Sequence, residues 1–180
     1  MVPAQEEHPW FALQVRTRFE SLVATLLHQK GYPVLLPTCT SRRQWNDRVR
    51  DLQVPLFPSY LFCRFDPAKR LPILTTPHVI SVVGVGRTPV PVDDKEIAAI
   101  REVMNSGQDA KPWPYLHDGQ KVRIKGGPLR GLCGILLSVK AEYRLILSVT
   151  LLRRSIAVEV ERSAVVPVQE EPASVRGAAA

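Results

Sequence analysis

Cysteine is scarce in this chain of 180 residues, and its spacing excludes two kinds of site. The three thiols, Cys39, Cys63 and Cys133, form no C-x-x-C pair, so the sequence indicates neither a disulfide framework nor a zinc site. The four histidines are equally scattered and show no H-E-x-x-H spacing. We therefore expect buried, reduced cysteines and no bound metal.

Long apolar runs and catalytic motifs are also missing. The chain has no stretch of about 18 apolar residues, the length needed to span a bilayer. Its first ten residues, MVPAQEEHPW, lack the basic and apolar regions of a secretory signal. No P-loop, G-x-S-x-G motif or arrangement of paired carboxylates typical of acid–base catalysis is present. We expect a cytoplasmic, monomeric protein that is not an enzyme, needs no cofactor and has no membrane association.

Positive charge is in excess, and it is unevenly distributed. The chain carries a net charge of +7 with a pI near 9.7. Residues 117–168 have nine basic and four acidic side chains (9 − 4 = +5), whereas the longer segment 1–106 has thirteen and ten (13 − 10 = +3). This balance is compatible with nucleic-acid contact but is also common in proteins that bind none.

The first hundred residues alternate between strand and helix patterns. WFALQVR (10–16), YPVLLP (32–37), the aromatic run from residue 59 to 65 and VISVVGVG (79–86) are typical of strands. A helical stripe at Phe19, Leu22, Val23, Leu26 and Leu27 ends at Gly31, and a second helix follows an Asp93/Glu96 capping box. The order predicts an α+β, ferredoxin-like sandwich with a four-stranded antiparallel sheet.

The pattern changes after residue 106. We expect a domain at 9–106, a linker at 107–117, a second domain at 118–168 and a disordered tail at 169–180. Five short strand-like runs in the second domain predict a small β-barrel: QKVRI, GILLSV, YRLILSV, SIAVEV and VVPV.

The stretch PLFPSYLFCRF (55–65) concentrates four of the twelve aromatic residues. In a strand, Leu61, Cys63 and Phe65 share one face, and Tyr60, Phe62 and Arg64 share the other. The second face is either a buried layer or a surface for a partner, and an arginine beside two aromatics favours the surface.

Three segments together resemble the NusG/RfaH family of transcription elongation factors, particularly its specialised antiterminators. They are WFALQVR (10–16), PLFPSYLF (55–62) and DGQKVRI followed by GGPLRGLCG (118–134). The resemblance implies an N-terminal NusG domain and a C-terminal KOW domain, which is an SH3-like barrel. It also implies that Phe57, Tyr60, Phe62 and Arg64 contact the clamp helices of RNA polymerase.

The resemblance assigns further roles to basic and turn residues. Non-template or upstream DNA would be approached by Arg16 and Arg18 and, from an Arg-rich excursion, by Arg42 and Arg43. Rho or a small-subunit ribosomal protein would bind the turn Leu151, Leu152 and Arg153, although these leucines could equally close the end of the barrel. The glycines of the KOW turn are Gly126, Gly127, Gly131 and Gly134, which would supply positive φ and close backbone approach.

The resemblance thus predicts a factor that binds RNA polymerase and modulates pausing. It leaves open whether the factor promotes antitermination or termination. The alternative is a KOW-type RNA-binding ribosomal or ribosome-assembly protein. The sequence departs from RfaH at Leu26 and Gln29, where RfaH is basic, so the resemblance implies no base-specific recognition.

Overall fold

The computed structural model describes residues 8–45, 48–113, 119–139 and 142–168. The predicted tail at 169–180 lies outside these ranges. The helices are α1 (Glu20–Gln29), α2 (Leu71–Leu74) and α3 (Asp94–Ser106), with 3₁₀ turns at Pro67–Lys69 and Arg162–Ala164. Within the described ranges no helix has the length and hydrophobicity needed to cross a membrane.

The strands fall into two large sheets and two hairpins. They are β1 (Trp10–Val15), β2 (Val34–Leu35), β3 (Thr38–Trp45), β4 (Arg48–Pro55), β5 (Tyr60–Arg64), β6 (Val79–Val82), β7 (Gly84–Val85), β8 (Thr88–Pro89), β9 (Ala110–Trp113), β10 (Gln120–Ile124), β11 (Cys133–Val139), β12 (Glu142–Val149), β13 (Arg154–Val160) and β14 (Val165–Pro167).

The first sheet has four antiparallel strands in the order β2-β5-β1-β6, as the ferredoxin-like prediction requires. One of its faces packs Phe11, Leu13 and Phe65 against Val23 and Leu27 of α1. Helix α3 belongs to the core on the opposite face. The two long helices thus lie on opposite sides of the sheet.

The Arg-rich excursion is a two-stranded hairpin of β3 and β4, in which Thr38 pairs with Pro55 and Trp45 with Arg48. Strand β5 begins shortly after β4 ends. The register of the sheet puts the ends of β1 and β2 beside the start of β5, since Gln14 pairs with Tyr60 and Leu35 with Phe62. The hairpin therefore leaves the sheet at the end where β1 stops.

The second sheet has six antiparallel strands in the order β14-β10-β11-β12-β13-β9. Its strands β10 to β14 are the five predicted runs. The sixth, β9, comes from the segment predicted as a linker and pairs Ala110 with Val158. No pairing between β9 and β14 closes a barrel in the part of the chain that the structure describes.

Candidate functional site

The aromatic segment 57–65 supplies one side of the first sheet. Tyr60, Phe62 and Arg64 share a face of β5, as the alternation predicts, and the rings of Phe57 and Phe62 meet edge to face with centroids 5.6 Å apart. Phe57 and Phe62 are fully buried, whereas Tyr60 and Arg64 are half-buried. The expectation of a free aromatic surface is thus wrong for this conformation, because other elements cover the face.

Trp10 is a member of this face that the sequence analysis did not single out. It pairs with Arg64 in the sheet register, and two guanidinium groups lie near its ring. The guanidinium carbons of Arg64 and Arg101 are 5.1 and 4.6 Å from the ring centroid, within the range of cation–π attraction. Alternation along β1 could have placed Trp10 here, but Arg101 comes from α3 and needed the tertiary structure.

Helix α3 and the second sheet cover the aromatic face. Phe62 shares one continuous core with Ile100 of α3 and with Leu145 and Ile156 of the second sheet. The guanidinium of Arg154, at the start of β13, lies 5.9 Å from the ring centroid of Tyr60. The candidate polymerase-binding residues are therefore part of a contact that α3 and the second sheet make with the first sheet.

Polar groups also join α3 to the second sheet. The backbone N–H and the hydroxyl of Thr150 both donate to Oε1 of Glu96, at 3.0 and 2.8 Å. The capping box predicted at the start of α3 is correspondingly incomplete. Asp93 accepts from the backbone N–H of Lys95 at 2.8 Å, while Glu96 reaches the second sheet.

The candidate partner-binding turn joins β12 to β13 and lies at this contact. Leu152 is only 8% exposed and belongs to the shared core, Leu151 is half-buried, and Arg153 is exposed with φ at 49°. The structure thus favours the alternative in which Leu152 closes the end of the sheet. In this conformation the turn and the aromatic face are covered by the same contact.

The four glycines of the predicted KOW turn differ in whether their positions require glycine. Gly127 and Gly131 have φ of 81° and 92°, which only glycine adopts readily. A Cβ at Gly134 would lie 2.7 Å from the carbonyl oxygen of Ile146, so the β11–β12 contact requires its absence. Gly126 shows neither requirement.

The candidate DNA-binding arginines come from two elements at one end of the first sheet. Arg16 and Arg18 are exposed just after β1. Arg42 and Arg43 lie on β3, and their side chains are outside what the structure describes. The topology brings the two elements to the same end of the sheet, because the hairpin leaves the sheet where β1 stops.

Comparisons with known proteins agree with the predicted resemblance. Residues 8–101 match the family model of NusG, described as a transcription termination factor. The transcription termination/antitermination protein NusG of Pseudomonas aeruginosa is 28% identical over an alignment of 156 positions that covers 84% of this chain and 88% of that protein. The NusG protein of Escherichia coli K12 is 28% identical over an alignment of 171 positions that covers 87% of this chain and 94% of that protein.

A solved structure shares the fold. It is described as "Domain interaction in Thermotoga maritima NusG" and matches with a TM-score of 0.59 at 18% identity, covering 92% of this chain and 100% of that one. The matched family segment, 94 residues long, is more than half of the 180 residues. The chain therefore belongs to the NusG family of transcription termination factors.

Proposed function

We propose that this protein is a transcription elongation factor whose first domain binds the clamp helices of RNA polymerase through the aromatic face. The aromatic face consists of Trp10, Phe57, Tyr60, Phe62 and Arg64. In bound form the factor modulates pausing and termination or antitermination. The chemistry of the proposed function is binding alone, without catalysis.

One observation carries this proposal: the first sheet has a complete core without its aromatic face. Helix α1 and helix α2 already bury Phe11, Leu13 and Phe65 on the other side. The aromatic face adds a tryptophan, a tyrosine and an arginine, the residue types that most often dominate the binding energy of protein interfaces. The aromatic face is therefore suited to bind the second sheet in one state and RNA polymerase in another.

The second domain occupies that face in the structure, so polymerase binding requires the domain to move aside. Binding partners that recognise only the open form shift the population toward it. The turn at Leu151, Leu152 and Arg153 becomes accessible by the same movement. We propose that this turn then recruits Rho or a small-subunit ribosomal protein.

The test is co-purification of the full chain with bacterial core RNA polymerase. It uses variants that carry Arg154→Ala, which removes the guanidinium lying over Tyr60. Phe62→Ala is unsuitable, because emptying a fully buried phenylalanine site costs about 3–5 kcal/mol of stability. We compare Arg154→Ala with Arg154→Ala/Tyr60→Ala. If Tyr60 is an interface anchor, the second change weakens polymerase binding at least about tenfold, or roughly 1.4 kcal/mol.

The matched control is Arg154→Ala/Tyr143→Ala, which removes a half-buried tyrosine of β12 instead. Its polymerase affinity should equal that of Arg154→Ala. Equal affinities for the Tyr60 and Tyr143 variants would contradict the assignment. A folded chain that does not bind polymerase but binds structured ribosomal RNA would support the ribosomal alternative. The family match over residues 8–101 makes that alternative the weaker one.

A further inference from the structure

A cavity of about 360 Å³ lies between helix α3 and the second sheet. One of its walls is formed by α3, which contributes Lys95, Glu96, Ala99 and Ile100. The other wall comes from β10, β11 and β12 and from the residues just after β12 and β14. The cavity therefore exists only while the second sheet packs against α3, and none of its lining residues belongs to the aromatic face.

The interior of the cavity is apolar. Its buried lining residues are Ile100 of α3 and three residues of β12, namely Ile146, Leu147 and Val149. The carboxylate of Glu96 also lines the cavity, but it already accepts two hydrogen bonds from Thr150. An apolar group placed inside would remove these aliphatic side chains from water, which is favourable.

Two lysines border the same cavity from opposite walls. Lys95 lies in the first turn of α3 and Lys121 lies on β10, and both are exposed. A lysine can lay its aliphatic stem along an apolar wall while its ammonium group stays in water. Counted against Glu96, the lining has an excess of one positive charge (2 − 1 = +1). This charge favours a ligand with an anionic head group and disfavours a cationic one.

We infer that the cavity binds a small free carboxylate with an unbranched apolar body of about ten carbons. The apolar body lies between α3 and β12, and the carboxylate lies at Lys95 and Lys121. The volume is at the small end of the range of about 300–1,000 Å³ that is usual for ligand sites. Because the ligand contacts both walls, it stabilises the arrangement in which the second sheet covers the first. That it thereby limits access to RNA polymerase rests on the proposed function.

The probe is decanoate, kept below its micelle-forming concentration and titrated into the full chain by isothermal calorimetry. We expect a dissociation constant of about 10 μM to 1 mM, the range that a ligand of this size can reach. Octanoate, which is shorter by two CH₂ groups, should bind about 15-fold more weakly. Decylammonium has the same body and the opposite charge, and it should bind at least about tenfold more weakly because attraction to two lysines becomes repulsion.

A variant that fills the cavity tests its location. Ala99→Leu adds three carbon atoms at a half-buried lining position of α3, and leucine is a good helix former. We expect it to keep the thermal stability of the protein and to weaken decanoate binding at least about tenfold. Ala98→Leu is the matched control, because Ala98 is the exposed neighbour and does not line this cavity. Ala99→Met repeats the test if the leucine variant does not fold.

The lysines are tested by substitutions that remove the charge and keep a long side chain. Lys95→Gln and Lys121→Gln should each weaken decanoate by about two- to fivefold, the effect of an exposed ion pair. Both effects should shrink at high salt. Lys125→Gln is the control, since Lys125 is an exposed lysine next to the end of β10 that lies outside the lining. It should leave decanoate affinity unchanged.

Four results would overturn the inference. Two of them are equal affinity for decylammonium and decanoate, and wild-type affinity in a folded Ala99→Leu variant. The third is tighter decanoate binding by Glu170→Lys/Glu171→Lys, which would assign the cavity to the acidic residues that follow Val168. The fourth is an unliganded chain that sediments as a dimer and dissociates with decanoate, which would assign it to a second copy.

A titration with core RNA polymerase separates the cavity from the proposed function. Decanoate at ten times its dissociation constant should lower the apparent affinity for polymerase about tenfold, because only the uncovered form binds polymerase. A chain that binds decanoate as described but binds polymerase equally with and without it keeps the ligand site and contradicts the proposed covering of the binding face. Loss of decanoate binding in Ala99→Leu with polymerase binding retained supports the ligand site independently.

Discussion

At the scale of single residues, the three cysteines occupy three different environments. Cys63 is buried and burial raises its pKa from 9.0 to about 12, whereas Cys133 is exposed and Cys39 is half-buried with a pKa raised by burial and by Asp109. The thiolate is the reactive form. At a pH of about 8 we therefore expect Cys133 to react fastest with a disulfide reagent and Cys63 to react only after unfolding, as measured by absorbance with and without urea.

Cys133→Ser should remove the fast phase and leave the slow ones unchanged. A fast phase that survives this substitution would contradict the assignment.

The raised pKa of Cys63 also affects stability: below pH 9 it has no effect, and between pH 9 and about 12 the unfolded thiol ionises while the folded one does not. This group therefore lowers the free energy of unfolding as the pH rises through that window.

Residue-level expectations from the sequence were right about faces and wrong about exposure. Alternation along β5 assigned Cys63 and Phe65 to one face and Phe62 to the other, and both assignments are confirmed. The expectation of three buried cysteines fails at Cys133, because period-two alternation puts it on the outer face of β11, where Arg123 donates to its Sγ at 3.4 Å. Which face is covered depends on distant segments and cannot be read from a local pattern.

At the scale of elements, the end of α3 gives a quantitative test. Gly107 follows the last helical residue with φ at 70°, and no atom lies within 4 Å of a Cβ built there. The cost of Gly107→Ala is therefore conformational only, about 1–2 kcal/mol. We expect urea denaturation to show a midpoint lowered accordingly, without a change in slope.

Gly126→Ala is the matched control for this substitution. Gly126 also has open space around its Cβ position, but its φ is not positive. The free energy of unfolding of the Gly126→Ala variant should stay within about 0.5 kcal/mol of the wild-type value. Equal losses at both positions would show that α3 does not depend on a left-handed cap.

The sequence predicted the positions of the two long helices better than it predicted their packing. α1 was confirmed and ends before Gly31, yet Phe19 precedes it and stacks on His78, and Leu22 is 46% exposed instead of lying in the stripe. Strand β9 was missed because AKPW contains proline and no alternation. It forms because the edge of β13 offers it partners, which is a tertiary effect.

At the scale of the whole molecule, the sequence predicted two domains but not their contact. The boundary between them was inferred from a change of pattern, and that pattern holds no information about which faces meet. The residues of the contact, such as Phe62, Ile100 and Leu145, look like ordinary core in sequence. Only the fold reveals that one core serves both sheets, and the proposed binding face is therefore coupled to the position of the second domain.

That coupling leads to a prediction for Glu96. Glu96→Ala removes the acceptor of both hydrogen bonds from Thr150, and their removal weakens the interaction between the domains by about 1–2 kcal/mol. The open fraction then rises about 5- to 30-fold while the closed form dominates, and the apparent affinity for polymerase rises by the same factor. Acrylamide quenching of the fluorescence of Trp10, which is buried in the contact, checks the opening in a Trp45→Phe/Trp113→Phe background, and titration with core RNA polymerase measures the affinity.

Glu159→Ala provides the control, because it removes a carboxylate of the second sheet whose 4.0 Å pair with Lys111 is exposed and contributes little. It should change neither the quenching of Trp10 nor the affinity for polymerase. If Glu96→Ala increases the quenching of Trp10 but leaves polymerase affinity where it was, the covered face is not the binding face. If affinity rises with quenching, the second domain limits access to the aromatic face by occupying it.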